Sequence, residues 1–276
     1  MSVTTTRMSG ELERSRVSFA GILIGEWVKL LSLRSTWWVT VSILPVTLLL
    51  SVLLAGSFGA EDIAQSRGDK GALLVAHAAG GGVLFSQLII VVLGTLAITS
   101  EYATGLIRSS FAAVPTRALL LAGKAVVVGL WGFGIGVVSA GVSWFACLPI
   151  LMGSGASITF GEPAILLWSV LGTGAVLGLT AVFALGVGTM VRASAGALSI
   201  SVGVLFVLTV TMQIIAAVTR SETVTAVVSY LLSPASGGVI GTGNGQLVEW
   251  QSLLVVLGWV SLSFFGGLQV ARRRDA

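Results

Sequence analysis

Residues 80–100 read GGGVLFSQLIIVVLGTLAITS, and residues 101–108 continue as EYATGLIR. The first stretch holds no Lys, Arg, Asp or Glu, and it is long enough to cross a bilayer core, which requires roughly 20 apolar residues. The second stretch is compact and polar. Because backbone groups in lipid must be hydrogen-bonded within the segment, the apolar run predicts a membrane-spanning helix that ends in a polar loop.

The apolar pattern recurs along the whole chain. Hydrophobic residues make up 55% of the 276 residues and charged residues only 9%. A soluble domain needs roughly 25% charged residues to cover its surface, so this composition predicts contact with lipid. We expect an all-α membrane protein with six transmembrane helices. The predicted spans cover residues 36–58, 80–100, 125–152, 164–190, 195–218 and 248–270.

The distribution of positive charge predicts the orientation. Twelve of the fifteen Lys and Arg residues lie in the N-terminal segment, in the loop 101–124, in the turn after span four, or in the tail 272–276. The positive-inside rule therefore places both termini in the cytoplasm, with the chain in the plasma (inner) membrane. Residues 1–16 are expected to form a disordered polar tail, and residues 17–271 a single transmembrane domain.

A different kind of helix is predicted before the first span. Between residues 17 and 34, small or polar residues recur every three or four positions, and apolar residues fill the remaining face. This pattern is typical of a helix that lies in the cytoplasmic interface, with Lys29 and Arg34 near lipid phosphates. The residues leave two roles open: a lipid anchor, or a lever that couples a cytoplasmic partner to the first span.

The loop 101–124 has the composition of a docking element. Gly105 allows a sharp turn, and Leu106, Ile107 and Phe111 form an apolar stripe on a short helix that Pro115 ends. Such a helix suits a groove on a partner protein, although an ordinary interfacial loop would also explain it. The candidate docking residues are Glu101, Tyr102, Gly105, Leu106, Ile107, Arg108, Phe111, Pro115 and Arg117.

The order of these motifs resembles the ABC-2 type permeases of ATP-binding-cassette transporters. The resemblance covers essentially the whole chain from about residue 20. Leu106 departs from it, since the family often has a small polar residue there. The residues that carry the resemblance are Glu101-Tyr102-x-x-Gly105-x-Ile107-Arg108, Val114-Pro115-x-Arg117, Lys124, Glu26-Trp27-x-Lys29-Leu30 and Arg34-Ser35-Thr36-Trp37.

This resemblance implies one half of a transporter. Two six-span subunits, identical or related, would enclose a pathway, and cytoplasmic ABC ATPase subunits would bind residues 101–117 as a coupling helix. The interfacial helix, with Glu26, Trp27, Lys29 and Arg34, would lie beside it. The chain has no G-x-x-x-x-G-K-[ST] phosphate loop. We therefore expect a subunit without enzymatic activity or a cofactor of its own, with ATP and Mg bound by the partner, and no nucleic-acid partner.

The cargo is less well defined by the sequence. Mostly apolar spans favour export of a hydrophobic or amphipathic small molecule or lipid. The polar residues that are candidates for lining the pathway are Ser86, Gln87, Thr95, Ser143 and Gln213. A secondary transporter is the alternative, but such carriers usually hold ionisable residues at mid-membrane, and the predicted spans hold none there.

A membrane enzyme is the third function class. It would need a clustered acid, base, nucleophile or metal site, and the lone His77, expected in an external loop, and the lone Cys147 do not supply one. Other patterns predict structure rather than chemistry. Small residues at Gly132, Gly136, Gly174 and Gly178 favour close helix packing. Between spans five and six, residues 224–232 are too short to cross, and residues 233–238 are expected to break the helix, leaving a short external or re-entrant helix.

Overall fold

The computed structural model describes residues 18–59, 63, 70–107, 116–156, 163–242 and 246–273. The predicted tail 1–16 lies outside this part of the chain. Within it, the regular elements are helices and no strand occurs. The helices are α1 (Phe19–Ser32), α2 (Arg34–Ser57), α3 (Lys70–Gly80), α4 (Val83–Thr104), α5 (Arg117–Gly153), α6 (Pro163–Val191), α7 (Ser194–Val202), α8 (Leu208–Thr219), α9 (Glu222–Ser229), α10 (Leu232–Val239) and α11 (Glu249–Arg273).

Among the residues that the structure describes, six helical segments are long and apolar enough to cross a membrane, which confirms the prediction of a multi-pass membrane protein. Two of them are composite. The second joins α3 to α4 across Gly81 and Gly82, and the fifth joins α7 to α8 through a π-helical turn at Gly203–Val207. The six segments are Arg34–Ser57, Gly71–Thr104, Arg117–Gly153, Ala164–Val191, Ser194–Thr219 and Glu249–Arg273.

Two helix boundaries differ from the sequence prediction. His77 lies in α3 rather than in a loop, because the helical segment of span two begins well before the glycine triplet at residue 80. The last third of the predicted loop 101–124 forms the first two turns of α5, which begins at Arg117. The charge of Lys124 places the predicted start of span three at residue 125. In the structure Lys124 is buried in ion pairs, so the helix continues through it.

The helix α6 forms the centre of the bundle and packs against α4, α5, α7 and α11. Close approach depends on glycine. A Cβ atom on Gly136 would lie 2.7 Å from the Cα of Gly174, and one on Gly178 would lie 2.6 Å from the carbonyl oxygen of Gly129. The prediction that these small residues allow close packing between spans three and four is confirmed, since any side chain would force the two backbones apart.

The short segment before span six is a pair of helices. Residues 233–238 do not break it, as the sequence had suggested, but belong to α10. Pro234 is tolerated because it lies in the first turn, where backbone N–H groups have no intrahelical partner. Leu232 and Ser236 of α10 are fully buried, and the side-chain amide of Gln87 in α4 donates hydrogen bonds to Ser236 Oγ (2.9 Å) and Thr180 Oγ1 (3.2 Å).

One end of the bundle collects basic side chains, and we call it the basic end. Arg117 at the start of α5 donates to the carbonyl oxygen of Ala271 at the end of α11 (2.7 Å). The guanidinium of Arg192, in the turn between α6 and α7, lies 5.1 Å from the ring centroid of Tyr102 near the end of α4. The helix α1 packs against α5 at the same end.

Candidate functional site

Four charged side chains form an ion cluster at the basic end, where three helices meet. Glu26 and Lys29 come from α1, Glu101 from the last turn of α4, and Lys124 from the second turn of α5. Glu26, Glu101 and Lys124 are only 4–6% exposed. Burial of three ionised groups is costly unless they are paired, so the cluster constrains how these three helices can be arranged.

The sequence of α1 explains why Glu26 reaches the cluster. The helix begins after Ser18, whose Oγ accepts a hydrogen bond from the backbone N–H of Gly21 (3.1 Å) and caps the first turn. Ile22, Glu26 and Leu30 recur every four residues and form the buried face of the helix. A carboxylate therefore lies in the middle of the apolar stripe that α1 packs against the bundle.

The hydrogen bonds join α1 to both neighbouring helices. Lys29 Nζ donates to Glu26 Oε1 (2.8 Å) and to Glu101 Oε1 (3.1 Å), and Lys124 Nζ donates to Glu101 Oε1 (2.9 Å). Lys124 Nζ also donates to Glu26 Oε2. Two carboxylates face two ammonium groups, so the formal charge of the cluster is zero. Each glutamate contacts both lysines, and the two lysines lie on different helices.

The two ionisable groups of α1 titrate as members of this cluster. Burial alone would raise the pKa of Glu26, but the ammonium groups of Lys124 and Lys29 outweigh burial and lower that pKa below its usual value. For Lys29, burial would lower the pKa, but the carboxylates of Glu26 and Glu101 outweigh burial and raise that pKa. Both shifts favour the charged forms, so the ion pairs persist across the neutral range.

A cavity of about 190 Å³ adjoins the cluster. All four charged residues line it together with Leu106, the first described side chain after the Gly105 turn. Glu101 Oε2 is buried and has no hydrogen-bond partner within the described part of the chain. Buried carboxylate oxygens are usually hydrogen-bonded, so this oxygen has unused acceptor capacity within the cluster.

The predicted docking segment is described as far as residue 107, and Arg108, Phe111 and Pro115 lie outside the described residues. The turn at Gly105 is as predicted, since its φ of +73° is a left-handed conformation that ends α4. Leu106 is 57% exposed, whereas Ile107 is 2% exposed and packs in the core. Burial argues against a direct contact of Ile107 with a partner; this side chain anchors the segment from inside.

Three other docking candidates make contacts within the chain. Glu101 belongs to the ion cluster, Tyr102 contacts Arg192, and Arg117 binds the end of α11. Lys29 was expected near lipid phosphates. In the structure its ammonium group forms ion pairs with Glu26 and Glu101. These residues make contacts inside the basic end, and among the described docking candidates Leu106 has an exposed aliphatic side chain.

The candidates for lining the pathway also divide into buried and exposed residues. Ser86, Gln87, Thr95 and Ser143 are at most 1% exposed and lie inside the bundle. Ser86 Oγ lies 2.6 Å from Thr47 Oγ1, so this pair joins α4 to α2. Gln213 is exposed on α8. A pathway along the outside of this subunit would therefore meet Gln213. The other four candidates lie inside the bundle, where Ser86 and Gln87 make hydrogen bonds to other helices.

The sequence alone does not predict the ion cluster. Its motifs assign Glu26, Lys29 and Glu101 to two separate surface segments, and Lys124 to the opening of the third span. The sequence does contain a signal for it. Glu101 and Lys124 carry opposite charges at the facing ends of spans two and three, and Glu26 and Lys29 carry opposite charges within one turn of the helix before span one. Comparisons with protein-family models and with curated proteins found no match to this chain.

Proposed function

We propose that this chain is the transmembrane permease subunit of an ATP-driven ABC transporter of the ABC-2 type. ATP would be hydrolysed by separate cytoplasmic subunits, and a second permease subunit, identical or related, would complete the pathway. The observation that carries the proposal is the ion cluster. It ties the helix before span one to the ends of spans two and three, on either side of the segment that resembles a coupling helix.

The ion cluster offers a physical route for energy coupling. A partner that presses on the segment after Gly105 would displace the end of α4 and the start of α5. Glu101 and Lys124 lie on those two helices, and both are ion-paired to α1. The helix α1 would therefore move with them and carry the motion to α2, from which it is separated only by Leu33. Packed bundles of this kind switch between discrete arrangements, and a partner acts by favouring one of them.

The charge distribution supports a cytoplasmic basic end. Lys29, Arg34, Lys124, Arg272 and Arg273 belong to it. Both termini would then be cytoplasmic, and the membrane would be the plasma membrane. The cargo would be a hydrophobic or amphipathic small molecule or lipid, exported along the apolar outer face of the spans. The charges in the cluster are paired with one another, which is a poor arrangement for a coupled ion and weakens the case for a secondary transporter.

The test is a pull-down of the tagged chain from its native membranes in mild detergent, with partners identified by mass spectrometry. We expect recovery of a soluble protein with a phosphate-loop motif, together with ATP hydrolysis that is absent from the chain purified alone. Leu106→Glu should remove that partner, because it puts a charge on the exposed apolar side chain of the docking segment.

Val218→Glu is the matched control. Val218 is also an exposed aliphatic residue, but it lies at the far end of α8, away from the basic end. This variant should retain the partner, and both variants should insert into the membrane. A wild-type chain that purifies without an ATPase and moves solute without ATP would instead establish a secondary carrier.

A further inference from the structure

A wide groove opens on the outside of the bundle between α1, α2 and α5. Its volume is about 580 Å³, within the range of roughly 300–1,000 Å³ that is usual for small-ligand sites. Trp27, Trp37 and Trp131 line one end of it, and aliphatic residues of α2 and α5 continue it towards the middle of the spans. Val41, Leu44 and Leu130 are exposed, so the groove opens onto the surface that faces lipid.

The tryptophan rings give the groove an apolar interior. Trp27 and Trp37 contact Trp131 edge-to-face, with ring centroids 5.4 Å and 6.0 Å from that of Trp131. The indole N–H of Trp131 donates to Thr40 Oγ1 (3.2 Å), and that of Trp37 donates to the carbonyl oxygen of Leu31 (3.0 Å). These two donors are already used, so the groove suits a hydrocarbon chain better than a polar solute.

A positive charge stands in line with the groove. Arg34, Trp37, Val41 and Leu44 follow one another at intervals of three or four residues and so lie on one face of α2. Arg34 is exposed at the basic end of that face, and it has no ion pair within the described residues. The ion cluster nearby is neutral, since its two lysines face two glutamates. The positive charge of Arg34 is therefore not balanced by a carboxylate within the described residues, and it lies beside the groove.

We infer that this groove binds an anionic phospholipid. One acyl chain would lie along the tryptophan rings and the aliphatic residues beyond them, and the phosphate would bind the guanidinium of Arg34. An arginine beside interfacial tryptophans is at the level of lipid headgroups, where it attracts anionic lipids. The site depends on the chain being a membrane protein and is independent of what drives transport.

Native mass spectrometry of the purified full chain tests this. The chain is mixed with equal amounts of dioleoyl phosphatidylglycerol and dioleoyl phosphatidylcholine, which differ only in the headgroup. We expect one phosphatidylglycerol molecule retained per chain in preference to phosphatidylcholine. Gly134→Leu should abolish retention, because Gly134 lines the groove and has open space around its Cβ position, so the added side chain fills the groove without a clash.

Matched controls separate the site from general effects. Gly258→Leu adds the same side chain at an open position on α11 and should retain the lipid. Arg34→Gln should lower the preference for phosphatidylglycerol about fivefold, the factor that one arginine contributes near an anionic surface. Arg273→Gln, which changes another exposed arginine at the basic end, should not. Because Arg34→Gln alters only an exposed side chain, it tests the inference even if Gly134→Leu folds poorly.

Two results would overturn the inference. The first is equal retention of the two lipids by the wild-type chain. The second is unchanged phosphatidylglycerol retention by Gly134→Leu. If that variant also loses a dimer signal, a second copy of the chain covers the groove.

Discussion

Two junctions between helices in this molecule are built on opposite principles. Between α5 and α6, glycines bring the two backbones together, with Gly136 and Gly174 so close that a Cβ on either would overlap the other helix. Where α1 meets α4 and α5, the apolar contacts of Ile22 and Leu30 are supplemented by long charged side chains, those of Glu26, Glu101 and the two lysines.

The difference separates a fixed part of the molecule from an adjustable one. Packed backbones tolerate little movement, since a gap of about 0.5–1 Å already loses roughly a quarter to a half of the van der Waals attraction. Ion pairs made by lysine side chains can follow a moving partner by rotating several bonds, and they respond to charge and pH. The glycine junction can therefore serve as a rigid frame, and the ion cluster is the place where α1 can transmit a displacement.

The largest expected effect comes from breaking the glycine junction. Gly136→Leu should separate α5 from α6, because backbone atoms of α6 occupy the space that its side chain needs. The cost should exceed the roughly 1–3 kcal/mol that is typical of an overpacked core and prevent recovery of folded chain from detergent. Size-exclusion chromatography and thermal unfolding measure this. Gly134→Leu adds the same side chain two residues away in open space and should leave the melting temperature almost unchanged. Equal loss in both variants would contradict close packing as the cause.

Breaking the ion cluster from one side should have the next largest effect. Lys124→Met leaves Glu26 and Glu101 buried with only Lys29 between them, and removal of one buried partner costs about 3–5 kcal/mol. The double variant Glu26→Leu/Lys124→Met removes one charge of each sign and should recover most of the loss, because well-packed apolar residues replace a buried pair at little cost. Thermal unfolding of the two variants gives the comparison, and additive losses would argue against pairing.

The smallest expected effect is the change in stability with pH. We expect this change to arise at the ion cluster. The lowered pKa of Glu26 means that its stabilising contribution is present above the ordinary glutamate pKa of about 4.3 and is lost as the pH falls through the lowered value. The raised pKa of Lys29 means that its contribution is present below the ordinary lysine pKa of about 10.4 and is lost as the pH rises through the raised value.

Spin labels can follow this response as a distance. Val28 on α1 and Leu130 on α5 are both exposed, so cysteines there, in a Cys147→Ala background, would carry labels without disturbing the core. We expect one narrow distance distribution between pH 5 and pH 9, broadening below about pH 4. A matched pair on α5 and α6 should not broaden at that pH. Broadening of both pairs together would indicate general unfolding instead.

The sequence predicted those features that follow from local composition. Six spans follow from the length of the apolar runs, the turn at Gly105 from the conformational freedom of glycine, and the close packing from the spacing of Gly132, Gly136, Gly174 and Gly178. These features can be predicted without knowing which helices become neighbours. The exception is that α5 and α6 are the two helices that the glycines bring together.

Features that depend on which helices meet were not predicted. Glu26 and Glu101 are 75 positions apart in the chain, and only the packing of α1 against α5 brings them to one lysine. Leu106 and Ile107 are adjacent and have aliphatic side chains of the same size, yet Ile107 is buried and Leu106 is exposed. Neither a hydrophobic pattern nor a motif distinguishes the two, because the direction of the chain after Gly105 decides which side chain turns inward.

The most direct test of the central proposal is site-specific photocrosslinking at Leu106 in native membranes. A photoreactive phenylalanine analogue replaces Leu106 in one culture and Val218 in another. The account predicts an adduct at Leu106 with a cytoplasmic protein that carries a phosphate-loop motif, and no such adduct at Val218. Absence of an ATPase adduct at Leu106, or the same adduct at both positions, would contradict docking of an ATPase at the basic end.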